Sequence, residues 1–278
     1  MTQEIIVFFL IGGLAQLVDG ALGMAFGVIS TSLLLSFGIT PAVTSATVHV
    51  CKIATGAASG LSHLALGNVD RRLLLQLALP GAIGAMIGAY LLTTLPVEIA
   101  RPLVAVYLFI MGILILRRAL RQRAAVAVEE TGHRRTVAPL GLIGGFLDAT
   151  GGGGWGPIVT SGLLVKNMKP AMAIGTANLA EFMVAICAAG VFLAFASFYL
   201  PAIIGLTLGG VLTAPVAAYL TKKIPARLVL GVVAVLIFAL SVRTTIVAIS
   251  SWQDKAVTAA ETEAVVLNHS DPAPGEQN

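Results

Sequence analysis

Six long, mostly apolar runs dominate the sequence, and this feature limits the fold more than any other. Crossing the hydrocarbon core of a bilayer takes about 20 apolar residues in a helix, and each run meets that length. Charged residues make up 11% of the chain, whereas a soluble domain carries roughly 25%. The sequence therefore predicts an all-α integral membrane protein. The predicted transmembrane helices are 41–66, 73–95, 97–116, 170–196, 198–220 and 226–250.

Two further apolar regions, 5–37 and 137–165, are interrupted by clusters of glycine. The second contains four consecutive glycines, Gly151–Gly154, each of which costs a helix about 1 kcal/mol relative to alanine. Unwound backbone at membrane depth persists only where protein or a watery cavity satisfies its N–H and C=O groups. We therefore predict a glycine-broken, re-entrant helical hairpin in each region. The alternative is that each region crosses the membrane once.

An internal repeat emerges when the chain is shifted against itself by 129 residues. The sequence thus predicts two tandem repeats, 1–122 and 137–250, each a broken hairpin followed by three transmembrane helices. An Arg-rich connector, 123–136, joins them, and the polar tail 251–278 is expected to be disordered. The offset needs no gap, and it aligns Asp19 with Asp148, Gly23 with Gly152, Pro41 with Pro170, and Pro96 with Pro225.

The distribution of basic residues favours inverted rather than parallel repeats. Regions that cross the membrane would give parallel repeats, whereas hairpins that turn back would give inverted ones. With the connector in the cytoplasm, the hairpin topology collects thirteen basic residues inside and leaves three outside. The crossing topology leaves ten inside and six outside. Because basic residues accumulate on the cytoplasmic side, we predict inverted repeats in a cell inner membrane, with both termini on the outer side.

The two glycine breaks are the predicted substrate site. Helices that resume after a break aim free N–H groups and positive dipole ends at the cavity, and such ends attract anions. The alternative is that the glycines only allow helices to pack closely. The candidate binding residues in the breaks are Gly20, Gly23, Gly27, Gly151, Gly152, Gly153, Gly154 and Trp155.

Ionisable residues within these apolar segments are functional candidates, because they are costly in a membrane. Asp19 and Asp148 begin the two breaks, where they could cap the following helix or carry a coupling proton or sodium ion. The next helix of repeat 1 carries His49 and Lys52 on one face, and the offset places Asn178 and Glu181 at the equivalent positions.

Lys52 must either pair with a carboxylate or meet an anionic substrate, because an unpaired ammonium in hydrocarbon is costly. The candidate partners are Glu181, Asp19 and Asp148. The predicted substrate-binding residues on these helices are His49, Lys52, Asn178 and the equivalent threonines Thr47 and Thr176; the predicted coupling residues are Asp19, Asp148 and Glu181.

Motifs of other functional classes are absent from the sequence. There is no Walker motif, no HExxH, no GxSxG and no GxGxxG after a strand, so we expect neither an enzyme nor a cofactor. The cysteines have no metal-ligand spacing, and the basic residues form no patch for nucleic acid. His63, His133 and His269 have no partner spacing and are expected at solvated or interfacial positions.

Three features together resemble the sulfite exporter TauE/SafE family, also called toluene sulfonate uptake permeases. They are the two hairpins with a leading aspartate, the TPA and KPA turns at 40–42 and 169–171, and the stretch AIGTANLAEF at 173–182. The resemblance extends from about residue 5 to residue 250. It implies an inner-membrane carrier for sulfite, sulfonates or related small anions.

These arguments lead to a secondary transporter that moves a small anion by alternating access, coupled to H⁺ or Na⁺. A passive anion channel is the first alternative, and a non-transporting membrane assembly subunit or an intramembrane enzyme is less favoured. The sequence leaves open the substrate, the direction of transport, the coupling ion and whether the chain forms a homodimer.

Overall fold

The computed structural model describes residues 2–121, 137–165, 168–221, 229–243 and 245–246. This part of the chain is helical and contains no strand. The predicted connector 123–136, the tail 251–278, His133 and His269 lie outside the described residues. The helices are α1 (Thr2–Leu22), α2 (Phe26–Ser36), α3 (Pro41–Ala65), α4 (Arg71–Thr94), α5 (Val97–Arg121), α6 (Ala138–Gly151), α7 (Gly156–Val165), α8 (Pro170–Phe195), α9 (Leu200–Leu220) and α10 (Val229–Arg243).

The described helices are those of a multi-pass membrane protein. Within this part of the chain, α1, α4, α5, α8 and α9 are long and apolar enough to cross a bilayer. Leu14, Leu79 and Leu212 on their surfaces are 66%, 65% and 66% exposed, as expected for side chains that face lipid. α3 has 25 residues, but its hydropathy is lower because it buries serine, threonine, histidine and lysine side chains. The predicted all-α membrane fold is confirmed.

Local signals explain where the helices begin and end. Pro41 and Pro170 stand in the first turn of α3 and α8, where a missing N–H costs nothing. Asp70 caps α4 by accepting hydrogen bonds from the amides of Arg72 and Leu73 at 2.9 and 3.1 Å. α3, α4 and α8 therefore begin within two residues of the positions that the sequence predicts.

Each glycine-broken region folds back on itself. α1 is unbroken over 21 residues, and α2 then returns until the Phe37 ring lies 5.9 Å from the Phe8 ring. In the second region, a Cβ on Gly162 of α7 would touch Leu140 at the start of α6. The chain thus returns to the side from which it came, and this geometry supports the re-entrant interpretation over a single crossing.

The directions of equivalent helices bear on the repeat. α3 and α8 run antiparallel, because Lys52 contacts Glu181 while Ser59, further along α3, contacts the earlier Asn178. Two helices related by the 129-residue offset therefore point in opposite directions. The inverted repeat remains a prediction, and this antiparallel pair supports it.

Glycine contacts bring other helices together at backbone distance. On the α4–α6 pair, Gly84 lies against the carbonyl of Leu142 and Gly145 against that of Gly81. The α1–α9 pair repeats the pattern, with Gly209 against the carbonyl of Phe9. An added methyl group would overlap the facing backbone, so these small residues determine how closely the bundle packs.

Candidate functional site

The two hairpin breaks meet each other in the middle of the bundle. Gly27 lies against the Gly152 carbonyl and the Gly153 Cα, so that a Cβ on Gly27 would come within 2.7 Å of both. A Cβ on Gly156 would come within 2.5 Å of the Met24 Cα. The glycines therefore do allow close packing, as one of the two interpretations held. An anion can lie between the tips only if they move apart.

The sharp turns within the breaks depend on backbone conformations that glycine adopts readily. Gly23 and Gly152 have φ values of 70° and 74°, in the left-handed region that other residues rarely adopt. Ala25 has a φ of 129°, which strains a residue with a Cβ. The offset aligns Ala25 with Gly154, so the first break is the more strained of the two.

Asp19 and Asp148 cap the helices that follow the breaks. Asp19 Oδ1 accepts a hydrogen bond from the amide of Phe26 at 3.3 Å, and Asp148 Oδ1 accepts one from the amide of Trp155 at 3.1 Å. Each aspartate stands seven residues before its partner. The helix ends that were expected to attract an anion thus already contact a carboxylate of the chain itself.

Lys52 lies at the junction of α3, α6 and α8. Its Nζ donates to Asp148 Oδ1 and Oδ2 at 2.7 and 2.9 Å and lies 2.9 Å from Glu181 Oε1. Lys52, Asp148 and Glu181 are 3%, 0% and 9% exposed. Lys52 therefore pairs with two of its three candidate carboxylates at once, and the ion pair joins the two predicted repeats.

His49 lies beside the same carboxylate. Its Nδ1 is 2.8 Å from the carbonyl of Ser45, which fits an Nδ1–H donor. Its Nε2 is 3.2 Å from Asp148 Oδ2 but makes no well-aligned hydrogen bond with any described residue. Asp148 is thus surrounded by Lys52, His49 and the Trp155 amide.

The buried cluster has more negative than positive groups. Asp19 lies close enough to Lys52 and Asp148 to interact with both electrostatically. Three carboxylates and one ammonium give a net charge of −2 when all are ionised and His49 is neutral. Buried charge without compensation is costly, so the cluster is suited to take up a proton or a cation. No group of described residues has the arrangement of a transition-metal site.

Two other predicted binding residues make structural contacts. Trp155 is fully buried, and its Nε1 donates to the carbonyl of Ala177 at 2.9 Å. Its ring packs against Gly81. Asn178 Nδ2 donates to Ser59 Oγ at 2.9 Å. Both side chains hold helices together near the cluster.

The predicted threonines and the first glycine also make structural contacts. The Thr47 hydroxyl accepts a hydrogen bond from the amide of Tyr199 at 3.0 Å, and the Thr176 hydroxyl accepts one from the amide of Asp70 at 2.9 Å. Each bond fixes the loop before α9 or α4. Gly20 packs against the methyl group of Ala217. These residues support the bundle in this conformation.

Two residues near the breaks, Arg118 and Tyr107, were not recognised from the sequence. The Arg118 guanidinium donates to the carbonyl of Leu22 at 3.1 Å, where α1 ends, although the sequence places Arg118 only among the basic residues that indicate topology. The Tyr107 hydroxyl is buried beside Gly154 and lacks a hydrogen-bond partner among the described residues. The offset replaces Tyr107 and Arg118 by Leu236 and Val247, and that difference between the repeats could have identified them.

The expectation for His63 was wrong. His63 is fully buried rather than solvated, and its Nε2 lies 2.9 Å from the carbonyl of Gly20. It joins the end of α3 to α1 close to Asp19. No sequence motif surrounds it, so only the packing of the two helices reveals its role.

The chain matches a known family over most of its length. The family model described as sulfite exporter TauE/SafE matches residues 8–244. The chain belongs to the sulfite exporter TauE/SafE family. The resemblance derived from the motifs is thereby confirmed, and this TauE/SafE family member is a multi-pass membrane transporter.

Two curated relatives of this TauE/SafE family member come from Bacillus subtilis (strain 168). The probable membrane transporter protein YtnM is 44% identical over 250 residues, which cover 88% of this chain and 83% of YtnM. The probable membrane transporter protein YdhB is 29% identical over 178 residues, which cover 63% of this chain and 71% of YdhB. No solved structure gives a significant match.

Proposed function

We propose that the chain is a secondary transporter, not an enzyme, that moves sulfite, an organosulfonate or a related small anion by alternating access. One observation carries this proposal: a buried ammonium, Lys52, lies where the two hairpin breaks meet and is neutralised only by side chains that can accept a proton. Membership of the TauE/SafE family supports the substrate class. Lys52 and His49 supply the positive charge for the anion.

Transport requires the hairpin tips to separate. The tips contact each other at Gly27 and Gly153, so the anion reaches Lys52 only after one repeat rocks away from the other. The antiparallel α3–α8 pair supports such a movement, because two inverted halves can open in turn to opposite sides. Coupling to H⁺ or Na⁺ uses the excess carboxylates of the cluster, with Asp148, Glu181 or Asp19 as the group that takes up the ion.

The orientation in the inner membrane follows from the basic residues. Arg71, Arg72, Arg117 and Lys169 belong to one end of the bundle, since α4 and α8 begin there and α5 ends there. Arg101 lies near the other end of α5. The excess of basic residues assigns the first end to the cytoplasm, with the connector on that side and the termini outside.

Flux measurements on purified protein in liposomes test the proposal. We expect Lys52→Ala combined with His49→Ala to reduce the uptake of radiolabelled sulfite at least about tenfold, because no positive group remains to replace the hydration of the anion. Lys169→Ala is the matched control, since Lys169 is exposed at the start of α8. Normal sulfite and sulfonate flux in the double variant would refute the assigned role. Flux that never runs uphill against an ion gradient would favour a passive channel, and no flux at all would favour an assembly subunit.

A further inference from the structure

The proposed function requires an anion to reach Lys52, whose ammonium is already paired. We propose that Asp148 is a tethered competitor of the substrate: its carboxylate occupies the anion's place, and the anion binds when Asp148 withdraws and takes up a proton. This inference rests on the proposed function and identifies the coupling ion as H⁺.

The surroundings of Asp148 are those that an oxyanion needs. Lys52 Nζ contacts both carboxylate oxygens, the amide of Trp155 directly before α7 donates at 3.1 Å, and His49 Nε2 lies 3.2 Å away. An ammonium, an imidazole and a helix N-terminus are the groups by which proteins bind sulfonates, sulfite and phosphates. Asp148 is fully buried, so the chain itself supplies the anion for this site.

Two buried polar atoms beside Asp148 lack a well-aligned partner among the described residues. They are the Tyr107 hydroxyl, which lies against Gly154, and His49 Nε2, which can donate when the imidazole carries a proton on both nitrogens. Buried polar atoms are rarely left without a partner. A carboxylate has two oxygens and leaves both groups unsatisfied, whereas sulfite and sulfonates have three oxygens and can reach more of the surrounding donors. The site therefore fits a three-oxygen anion better than it fits Asp148.

Charge balance explains why the exchange needs a proton. The charged and titratable groups that face the site are Asp19 from α1, His49 and Lys52 from α3, Tyr107 from α5 and Glu181 from α8. An anion added to three carboxylates would increase the buried negative charge. One proton from the aqueous phase, bound to an Asp148 oxygen, leaves the total charge unchanged. Anion and proton then bind and move together.

The other hairpin supplies a matched control. Asp19 caps the Phe26 amide as Asp148 caps the Trp155 amide, with the same spacing of seven residues. Asp19 makes no ion pair among the described residues, whereas Asp148 pairs with Lys52. Asp19→Asn and Asp148→Asn therefore make the same chemical change at equivalent caps, and only the second removes the proposed competitor.

The test measures binding of methanesulfonate, which does not titrate near neutral pH, to purified protein in weakly buffered detergent solution. We expect uptake of about one proton per anion bound by the unmodified chain, and none by Asp148→Asn. Because the variant lacks the competing carboxylate, it should also bind methanesulfonate about tenfold more tightly, a coupling of ordinary size. The effect of Asp19→Asn on both quantities should be much smaller. Equal effects of the two variants, weaker binding by Asp148→Asn, or binding without proton uptake would overturn the inference.

A fluorescence measurement covers the case in which Asp148→Asn does not fold. The chain has two tryptophans, so Trp252→Phe leaves Trp155 as the single reporter. Because the Trp155 amide donates to Asp148, its emission should change as methanesulfonate displaces that carboxylate. Unchanged emission at saturating methanesulfonate contradicts the inference. Failure of every variant to bind or transport methanesulfonate or sulfite would instead overturn the proposed function itself.

Discussion

At the scale of single residues, the ion pairs of Lys52 define the chemistry of this bundle. A buried ion pair adds little net stability over apolar residues of the same size, but removing one partner costs about 3–5 kcal/mol. This low net contribution to stability supports the proposal that Lys52 and its carboxylates take part in transport. Asp148 differs from Asp19 in its contacts with Lys52 and His49, and these contacts distinguish the two hairpins chemically.

Arg118 has a structural role that can be tested at the same scale. Arg118→Leu should lower the free energy of unfolding by about 1.5–3 kcal/mol, because it removes a charge-assisted hydrogen bond to a buried carbonyl. That bond reaches Leu22 at the end of α1. Arg117→Leu is the control, since Arg117 is exposed. Thermal unfolding in detergent measures the difference, and equal melting temperatures would mean that Arg118 serves only as a topology signal.

At the scale of elements, the two hairpins contain both the glycine breaks visible in the sequence and the contacts on which the proposed transport depends. The breaks let two pieces of backbone touch in the middle of the bundle, with Gly27 against Gly153. The side chain of Thr31 adds a hydrogen bond of 2.9 Å to the carbonyl of Gly152. Longer side chains would keep the tips apart, so glycine is what allows the closed conformation to form.

Replacement of a tip glycine should disturb this closed conformation. We expect Gly153→Ala to destabilise the protein by about 1–3 kcal/mol through overpacking, because its methyl group would overlap the backbone of Val28. Gly190→Ala is the control: apart from the nearby backbone of α8 itself, no atom of the described residues lies within 4 Å of its Cβ position, and alanine there should stabilise α8 by about 0.5–1 kcal/mol. Chemical denaturation measures both. A Gly153→Ala variant as stable as Gly190→Ala would show that the tips do not pack as described.

At the scale of the whole molecule, the directions of equivalent helices say more about the repeat than the number of helices does. α3 and α8 occupy equivalent places in the predicted repeats but run antiparallel, and Lys52 contacts the residue at its own equivalent position, Glu181. Such a contact is expected close to a twofold axis that relates the two halves. The two helices differ at this contact, because Lys52 is a base and Glu181 is an acid. Two identical repeats could not form this ion pair.

Cysteine labelling tests the topology that follows. In a background without Cys51 and Cys187, Thr2→Cys should react with a membrane-impermeant maleimide in intact cells. Leu66→Cys, between α3 and α4, should react only after permeabilisation, because the basic residues assign that end to the cytoplasm. The reverse pattern would invert the orientation. Labelling of both sites in intact cells would contradict a crossing by α3.

Most of the fold could be predicted because it depends on local properties of the sequence. Apolar length fixes the spanning helices, and proline and glycine fix where they begin, break and end. Pro41 and Gly152 were informative in this way. Residues whose roles depend on a neighbour distant in sequence were not predictable. For this reason the predicted location of His63 was wrong, and the contacts of Tyr107 and Arg118 were not predicted.

The sequence by itself determined a membrane protein of the TauE/SafE family, with two broken hairpins and a small set of costly ionisable residues. It left several partners open for Lys52, because periodicity shows which face of a helix is polar but not what that face contacts. Only the packing of α3 against α6 and α8 decided that Lys52 meets Asp148, 96 residues away, together with Glu181. The reason is geometric: glycine contacts set the distances between helices, and those distances select the ion pairs.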